Sequence, residues 1–246
     1  MRKRVALLVP SANQTVEPDF YSLLPKEITV HAERMWNGDP TEPGESEGDN
    51  EKINEDLERA ARYVASLEPD LVVYACTGGT FFNGTMEYDR EISDLIRRIT
   101  GVPTITAVES SVRALRYVGA YRISIVGPYG DHLLQQRLKP LLDGLGFEVV
   151  STDGPLQMQQ RTRSVVIGNQ DPNEIVDFVM KVVRPEADTV YLPGTAWRAL
   201  EIADELEQRL GKTVVTVNQA TIWNATRTLD WSQPIEGYGR VLRGSA

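Results

Sequence analysis

The 246-residue chain has one cysteine, Cys76, so an internal disulfide is excluded and nothing points to an oxidising compartment. Its two histidines, His31 and His132, are isolated and belong to no metal-ligand set. No P-loop and no GxGxxG follows a strand, which removes the usual phosphate and dinucleotide signatures. No stretch approaches the roughly 18 apolar residues of a membrane-spanning helix. The basic start, Met1-Arg2-Lys3-Arg4, leads into an apolar run that stops at Pro10, too short for a signal sequence. Positive charge is scarce as well: 26 Lys and Arg face 35 Asp and Glu, a net charge of −9. Such a surface argues against nonspecific binding to nucleic acid or to an anionic membrane. It does not exclude a small anionic substrate, because a pocket can be locally positive. The expectation is a soluble, cytoplasmic protein with no nucleic-acid or membrane partner.

What is present is alternation. Val5–Val9, Leu71–Ala75, Thr104–Thr106, Ile123–Val126, Glu148–Ser151, Thr189–Leu192 and Val214–Val217 read as strands. Helical spacing covers 51–67 (Ile53, Leu57, Ala60, Ala61, Val64 and Leu67 on one face), 87–99, 108–117, 131–145, 172–183, 197–210 and about 219–229. A further helix starts near Thr15. The Gly, Pro, Asp and Glu-rich segment Asn37–Asn50 reads as an exposed loop. This order predicts an α/β fold of parallel sheets flanked by helices.

A repeat divides the chain. Asp70-x5-Cys76-Thr77 matches Asp188-x5-Gly194-Thr195, and Arg4-x5-Pro10 matches Arg122-x5-Pro128, both at an offset of 118 residues. Gly101-x4-Thr106 and Gly211-x4-Thr216 form a looser pair at offset 110. Two pseudo-symmetric halves follow, 1–118 and 119–246, with the C-terminal segment 219–246 expected to pack back on the first half. If the halves face each other, the carboxyl ends of their strands meet in one cleft. Cys76 then lies on one wall and Gly194 on the other.

Four strand-end turns line that cleft: Pro10–Thr15, Cys76–Gly79, Gly127–Gly130 and Pro193–Ala196. They offer hydroxyls, amides and backbone N–H groups, neutral donors that suit a carboxylate. Each candidate has a plainer reading. A lone strand-end cysteine is usually a small buried hydrophobe. Asn13, Thr77 and Thr195 are helix caps by type. Tyr129 is a packed aromatic, and Trp223 is core rather than a cofactor platform. Glu17 and Glu109 suit helix first turns, where the macrodipole favours them. Glu109 is also a candidate base in place of a missing thiol.

Val9-Pro10-Ser11-Ala12-Asn13-Gln14-Thr15-Val16-Glu17-Pro18, Tyr74-Ala75-Cys76-Thr77 and Gly119-Ala120-x-Arg122-Ile123-x-x-Val126-x-Pro128-Tyr129 resemble motifs of maleate cis–trans isomerases. Asn218-Gln219-Ala220-x-x-Trp223 and Gly237-Tyr238-Gly239-Arg240 are similar to arylmalonate decarboxylases. Both families belong to the aspartate/glutamate racemase superfamily. The resemblance implies chemistry next to a carboxylate, with no cofactor and no metal, and a homodimer or higher homo-oligomer. It makes Cys76 the catalytic nucleophile and Asn13 and Tyr129 carboxylate-binding residues. Thr77, Gly78, Gly194 and Thr195 complete the substrate-binding set. The family's second cysteine falls on Gly194, and an expected carboxylate-binding Asn falls on Arg163-Ser164, where Arg163 is a candidate substitute cation whose plainer reading is a solvated loop. Without a second thiol, two-base racemisation is unfavourable. The leading expectation is cis–trans isomerisation of a maleate-type alkene. Decarboxylation or single-base proton transfer, Cys-dependent hydrolysis of an amide or cyclic imide, and carboxylate binding without chemistry remain alternatives.

Overall fold

A computed structural model describes residues 2–38, 53–81, 83–155 and 164–244. Among the described residues, eight strands form two four-stranded parallel sheets. The first contains β1 (Lys3–Pro10), β2 (Ile28–Met35), β3 (Leu71–Tyr74) and β4 (Thr104–Thr106), in the order β2-β1-β3-β4. The second contains β5 (Arg122–Val126), β6 (Glu148–Asp153), β7 (Thr189–Leu192) and β8 (Thr213–Thr216), in the order β6-β5-β7-β8. The strand order is the same in both, so the architecture is two pseudo-symmetric α/β halves.

The repeated Arg and Asp explain why. Asp70 Oδ2 accepts from the Arg4 N–H at 2.8 Å, and the Asp70 N–H returns a bond to Arg4 O at 2.8 Å. Asp188 Oδ2 accepts from the Arg122 N–H at 2.7 Å, and its N–H reaches Arg122 O at 2.9 Å. Each pair locks the start of one central strand to the start of the next. The register of β1 on β3, and of β5 on β7, is thereby set from the same end.

Among the described residues, eight longer helices flank the sheets: α1 (Val16–Leu23), α2 (Leu57–Ala65), α3 (Met86–Thr100), α4 (Ala107–Tyr117), α5 (131–144), α6 (Pro172–Val182), α7 (Ala203–Leu210) and α8 (Val217–Thr228). The period of two along the central strands sorts the core. Val5, Leu7, Val9, Val73 and Ile125 face a shared middle layer with Leu115 of α4 and Ile222 of α8. Ala6, Leu8, Val72 and Tyr74 face outward under α2 and α3, while Val190, Leu192 and Val214 face α6 and α7. Trp223 belongs to the middle layer and lies against Tyr117, ring centroids 5.0 Å apart. Thr106 caps α4 by accepting from Glu109 N–H, and Thr216 caps α8 through a reciprocal capping box with Gln219.

Some expected boundaries move. The helix expected over 197–210 begins as α7 at Ala203 after a 3₁₀ turn, Leu200–Ile202. Residues before it are held in turns: Trp197 N–H bonds Gly194 O at 3.1 Å and Ala199 N–H bonds Trp197 O at 2.8 Å. The strand expected to end at Val217 ends at Thr216, because that residue becomes the cap of α8. α5 includes a π-helical stretch, Leu134–Leu138. Strand β2 escaped the pattern reading: it is an edge strand whose middle, Thr29 to Arg34, is largely polar and part-exposed. Most of the expected Asn37–Asn50 loop, and Arg163, lie outside the described residues. Among the described residues no helix is long and apolar enough to cross a membrane.

Candidate active site

Strand β3 carries four fully buried residues to its carboxyl end, and the chain then turns through Cys76-Thr77 into a single helical turn, Gly78–Phe81. Cys76 is 3% exposed. The Gly79 N–H donates to its Sγ at 3.3 Å. Burial pushes the thiol up to about 11, against the opposing pull of the Gly79 N–H, the Tyr74 hydroxyl and the Gly78 N–H. The N–H groups of the Thr77-Gly78-Gly79 turn therefore do not lower the thiol enough to ionise it. One four-residue turn supplies individual N–H groups rather than a macrodipole, and desolvation outweighs them. At neutral pH the resting group is a thiol.

Tyr129 reaches this wall from the second half. It follows β5, is partly buried against the middle layer, and its hydroxyl faces Cys76, Thr77 and Tyr191. Burial raises its titration well above the phenol range, so it is a neutral donor. Thr77 is 1% exposed, and its Oγ1 makes no hydrogen bond of ordinary geometry although Tyr129 faces it. A buried hydroxyl without a firm partner is costly unless something else uses it.

Gly194 closes the opposite side. Its φ is +113°, and a Cβ there would lie 3.0 Å from Pro128 Cγ and 3.3 Å from the Tyr129 hydroxyl oxygen. Tyr129 thus lies between the walls: it interacts with Thr77 beside Cys76 and abuts the position where a second thiol would project. Thr195, beside Gly194, is buried and accepts from Asn13 Nδ2 at 3.0 Å. Thr15 Oγ1 donates to Ala196 O at 2.7 Å. So the turn after β1 grips the turn after β7, while the turn after β5 leans on the turn after β3.

Asn13 combines both readings of its residue type. Its Oδ1 accepts from the N–H groups of Thr15 and Val16, at 2.9 and 3.1 Å, which caps α1. Its Nδ2 spends one hydrogen on Thr195 and bonds no second acceptor among the described residues. Arg34, from the edge strand β2, braces the same turn by donating to Asn13 O at 2.6 Å and pairing with Glu17.

Cys76, Thr77, Gly78, Tyr129, Gly194, Thr195 and Asn13 therefore come together at the carboxyl ends of the two sheets. Glu109 does not join them: it pairs with Arg113 at 3.6 Å on the solvent-facing side of α4, so it is not placed as a base for the empty wall. His31 and His132 are exposed. Among the described residues no group of three His, Cys, Asp or Glu is placed to hold a metal ion. Four contributors had no role assigned from the sequence. Tyr74 and Asn54 lie behind Cys76. Asn218 donates to Thr195 O at 3.0 Å and to Asp19 Oδ2 at 2.7 Å, and burial raises Asp19 to about 7. Their signal was proximity in space, which neither periodicity nor local spacing carries.

With its two parallel α/β halves and a buried cysteine at one strand end, the chain belongs to the aspartate/glutamate racemase superfamily. Within it, the sequence model described as arylmalonate decarboxylase matches residues 5–242, and the chain belongs to that family. The chain is 23% identical over 257 residues to the maleate isomerase of Geobacillus stearothermophilus, covering 98% of this chain and 97% of that one. Its fold is similar to that of the Nocardia farcinica maleate cis–trans isomerase, solved as a cysteine-to-serine mutant with a covalently bound succinylcysteine intermediate. That likeness has a TM-score of 0.87 at 22% identity and spans 100% of both chains. A liganded arylmalonate decarboxylase double mutant, with one glycine changed to cysteine and one cysteine to serine, gives a TM-score of 0.84 at 22% identity. It spans 99% of this chain and 100% of that one.

Proposed function

We propose that this protein isomerises a small maleate-type dicarboxylate across its double bond, with Cys76 as the nucleophile. The observation that carries the reading is the single thiol at the end of β3, with the Gly79 N–H on its sulfur and the Tyr129 hydroxyl facing it across the cleft. Thr77, Thr195 and the second Nδ2 hydrogen of Asn13 are the donors for the two carboxylates. Sulfur bonds to one alkene carbon, and the electron pair of the double bond moves into the carboxylate on the other alkene carbon, which becomes an enediolate. The thiol proton passes to that enediolate oxygen, so no charge is created. The carbon–carbon bond is now single and rotates. Return of the proton to sulfur, with cleavage of the carbon–sulfur bond, releases the trans alkene. Nothing is oxidised or reduced, and no second acid is needed. Neutral donors aimed at the developing oxyanion are the main source of acceleration. The succinylcysteine held by the Nocardia mutant supports a route in which a sulfur adduct forms after a cysteine has been replaced.

A second reading has its own support. Burial keeps the Cys76 thiol protonated, and the chain's fold is similar to a decarboxylase mutant in which a glycine became cysteine and a cysteine became serine. In that reading an arylmalonate loses carbon dioxide and the thiol protonates the enediolate carbon. Incubation with maleate or an arylmalonate in D2O, followed by proton NMR, separates the two. Isomerisation yields fumarate without deuterium on carbon, whereas proton transfer yields a decarboxylated acid carrying deuterium. Cys76→Ser is expected to abolish turnover with circular dichroism unchanged. Full activity in that variant refutes both readings.

A further inference from the structure

Resting on the reading of Cys76 as the reacting group, we propose that Tyr74 and Asn54 are positioning residues for its sulfur. The Tyr74 hydroxyl is the sulfur's hydrogen-bond partner, and Asn54 fastens that hydroxyl to the catalytic turn.

Tyr74 ends β3 and Cys76 follows two residues later, and both belong to the outer core under α2 and α3. Tyr74 is fully buried. Its hydroxyl donates to Asn54 Oδ1 at 2.6 Å. Asn54 Nδ2 in turn donates to Gly79 O at 2.8 Å and to the Tyr88 hydroxyl at 2.9 Å. Both hydrogens of the amide and its carbonyl oxygen are thus engaged. With its own hydrogen on Asn54, the Tyr74 oxygen keeps its lone pairs free as acceptors beside Cys76. When the sulfur is ionised, the same hydroxyl hydrogen turns from Asn54 to the sulfur.

Gly79 shows how tightly the parts fit. A Cβ there would lie 1.9 Å from the Tyr74 hydroxyl oxygen and 3.2 Å from Cys76 Sγ. Only a glycine lets the hydroxyl, the sulfur and the turn N–H meet, which explains the second glycine of Thr-Gly-Gly. The other titratable groups facing this cluster are Tyr88 and Asp89 from α3 and Tyr129 from the second half.

Because Cys76 is the only cysteine, alkylation by iodoacetamide followed by intact mass reports its ionisation without substrate. The full chain is compared with Tyr74→Phe and Asn54→Ala from pH 7 to 10. Tyr74→Phe is expected to slow alkylation about tenfold and move the profile to higher pH, because a hydrogen bond to a charged sulfur is lost. Asn54→Ala is expected to move the profile to lower pH, because the Tyr74 hydrogen is released to the sulfur. General loosening of the turn cannot shift the two variants in opposite directions. A wild-type rate in Tyr74→Phe overturns the proposal. If Tyr74→Phe does not fold, an Asn54→Ala profile that is unchanged or shifted to higher pH overturns it alone. Turnover retained in Cys76→Ser would remove the functional reading and leave this outcome untouched.

Discussion

Asp89→Asn should remove a large part of the pH dependence of stability. Asp89 lies on α3 and is 2% exposed. Its Oδ2 accepts from Thr106 Oγ1 at 2.8 Å, and its Oδ1 is buried without a partner. Burial raises its titration from 3.8 to about 7, with the Thr106 hydrogen bond pulling the other way. Between about pH 4 and pH 7 the folded chain holds a proton that the unfolded chain has released. Stability therefore falls as pH rises through this window, by about 1.4 kcal/mol per unit, and is level above it. The whole penalty is about 4 kcal/mol, of which about 3 kcal/mol accumulates between pH 4.5 and 8. Asparagine does not titrate and keeps a carbonyl oxygen for Thr106. Its NH2 group replaces the unpartnered oxygen at a cost that is the same at both pH values. Urea unfolding of both chains at pH 4.5 and 8 reads the effect: the variant should gain about 3 kcal/mol on the wild type between the two. Asp19, raised to about 7 in the same way, is present in both chains and cancels. A difference between the chains that does not change with pH would refute the argument.

Gly194→Cys should fail to create a second working thiol. A side chain at φ +113° is strained, and Pro128 sits 3.0 Å from its Cβ, so a loss of about 1–3 kcal/mol by thermal unfolding is expected, with no racemisation detected by chiral chromatography. Asn13→Ala removes the cap of α1 and the bond to Thr195 together. It should cost about 1–2 kcal/mol of stability and raise KM for a dicarboxylate more than it lowers kcat, measured by denaturation and steady-state kinetics.

The superfamily was legible in short motifs because those motifs have local physical causes. Arg4 and Arg122, with Asp70 and Asp188, repeat at one offset because each pair fastens two neighbouring parallel strands at their start. Gln219 and Gly239 stood out for a related reason. Gln219 Nε2 donates to Tyr238 O at 2.5 Å, and a Cβ on Gly239 would lie 2.8 Å from that nitrogen, so the tail docks only with glycine there. Strand β2 was not legible: an edge strand with a polar, part-exposed middle lacks the apolar run that marks the central strands.

The sequence by itself determined two similar α/β halves and a lone cysteine at a strand end, because hydrophobic periodicity and turn chemistry act over a few residues. Tertiary structure decided what surrounds that cysteine. It aimed Tyr129 of one half at Cys76 of the other, tied Asn13 to Thr195, and set Tyr74 and Asn54 behind the sulfur. It also decided that the thiol is buried and held as a thiol. Desolvation and hydrogen-bond geometry depend on groups up to 199 positions apart in the chain, and these meet only when the two sheets face each other.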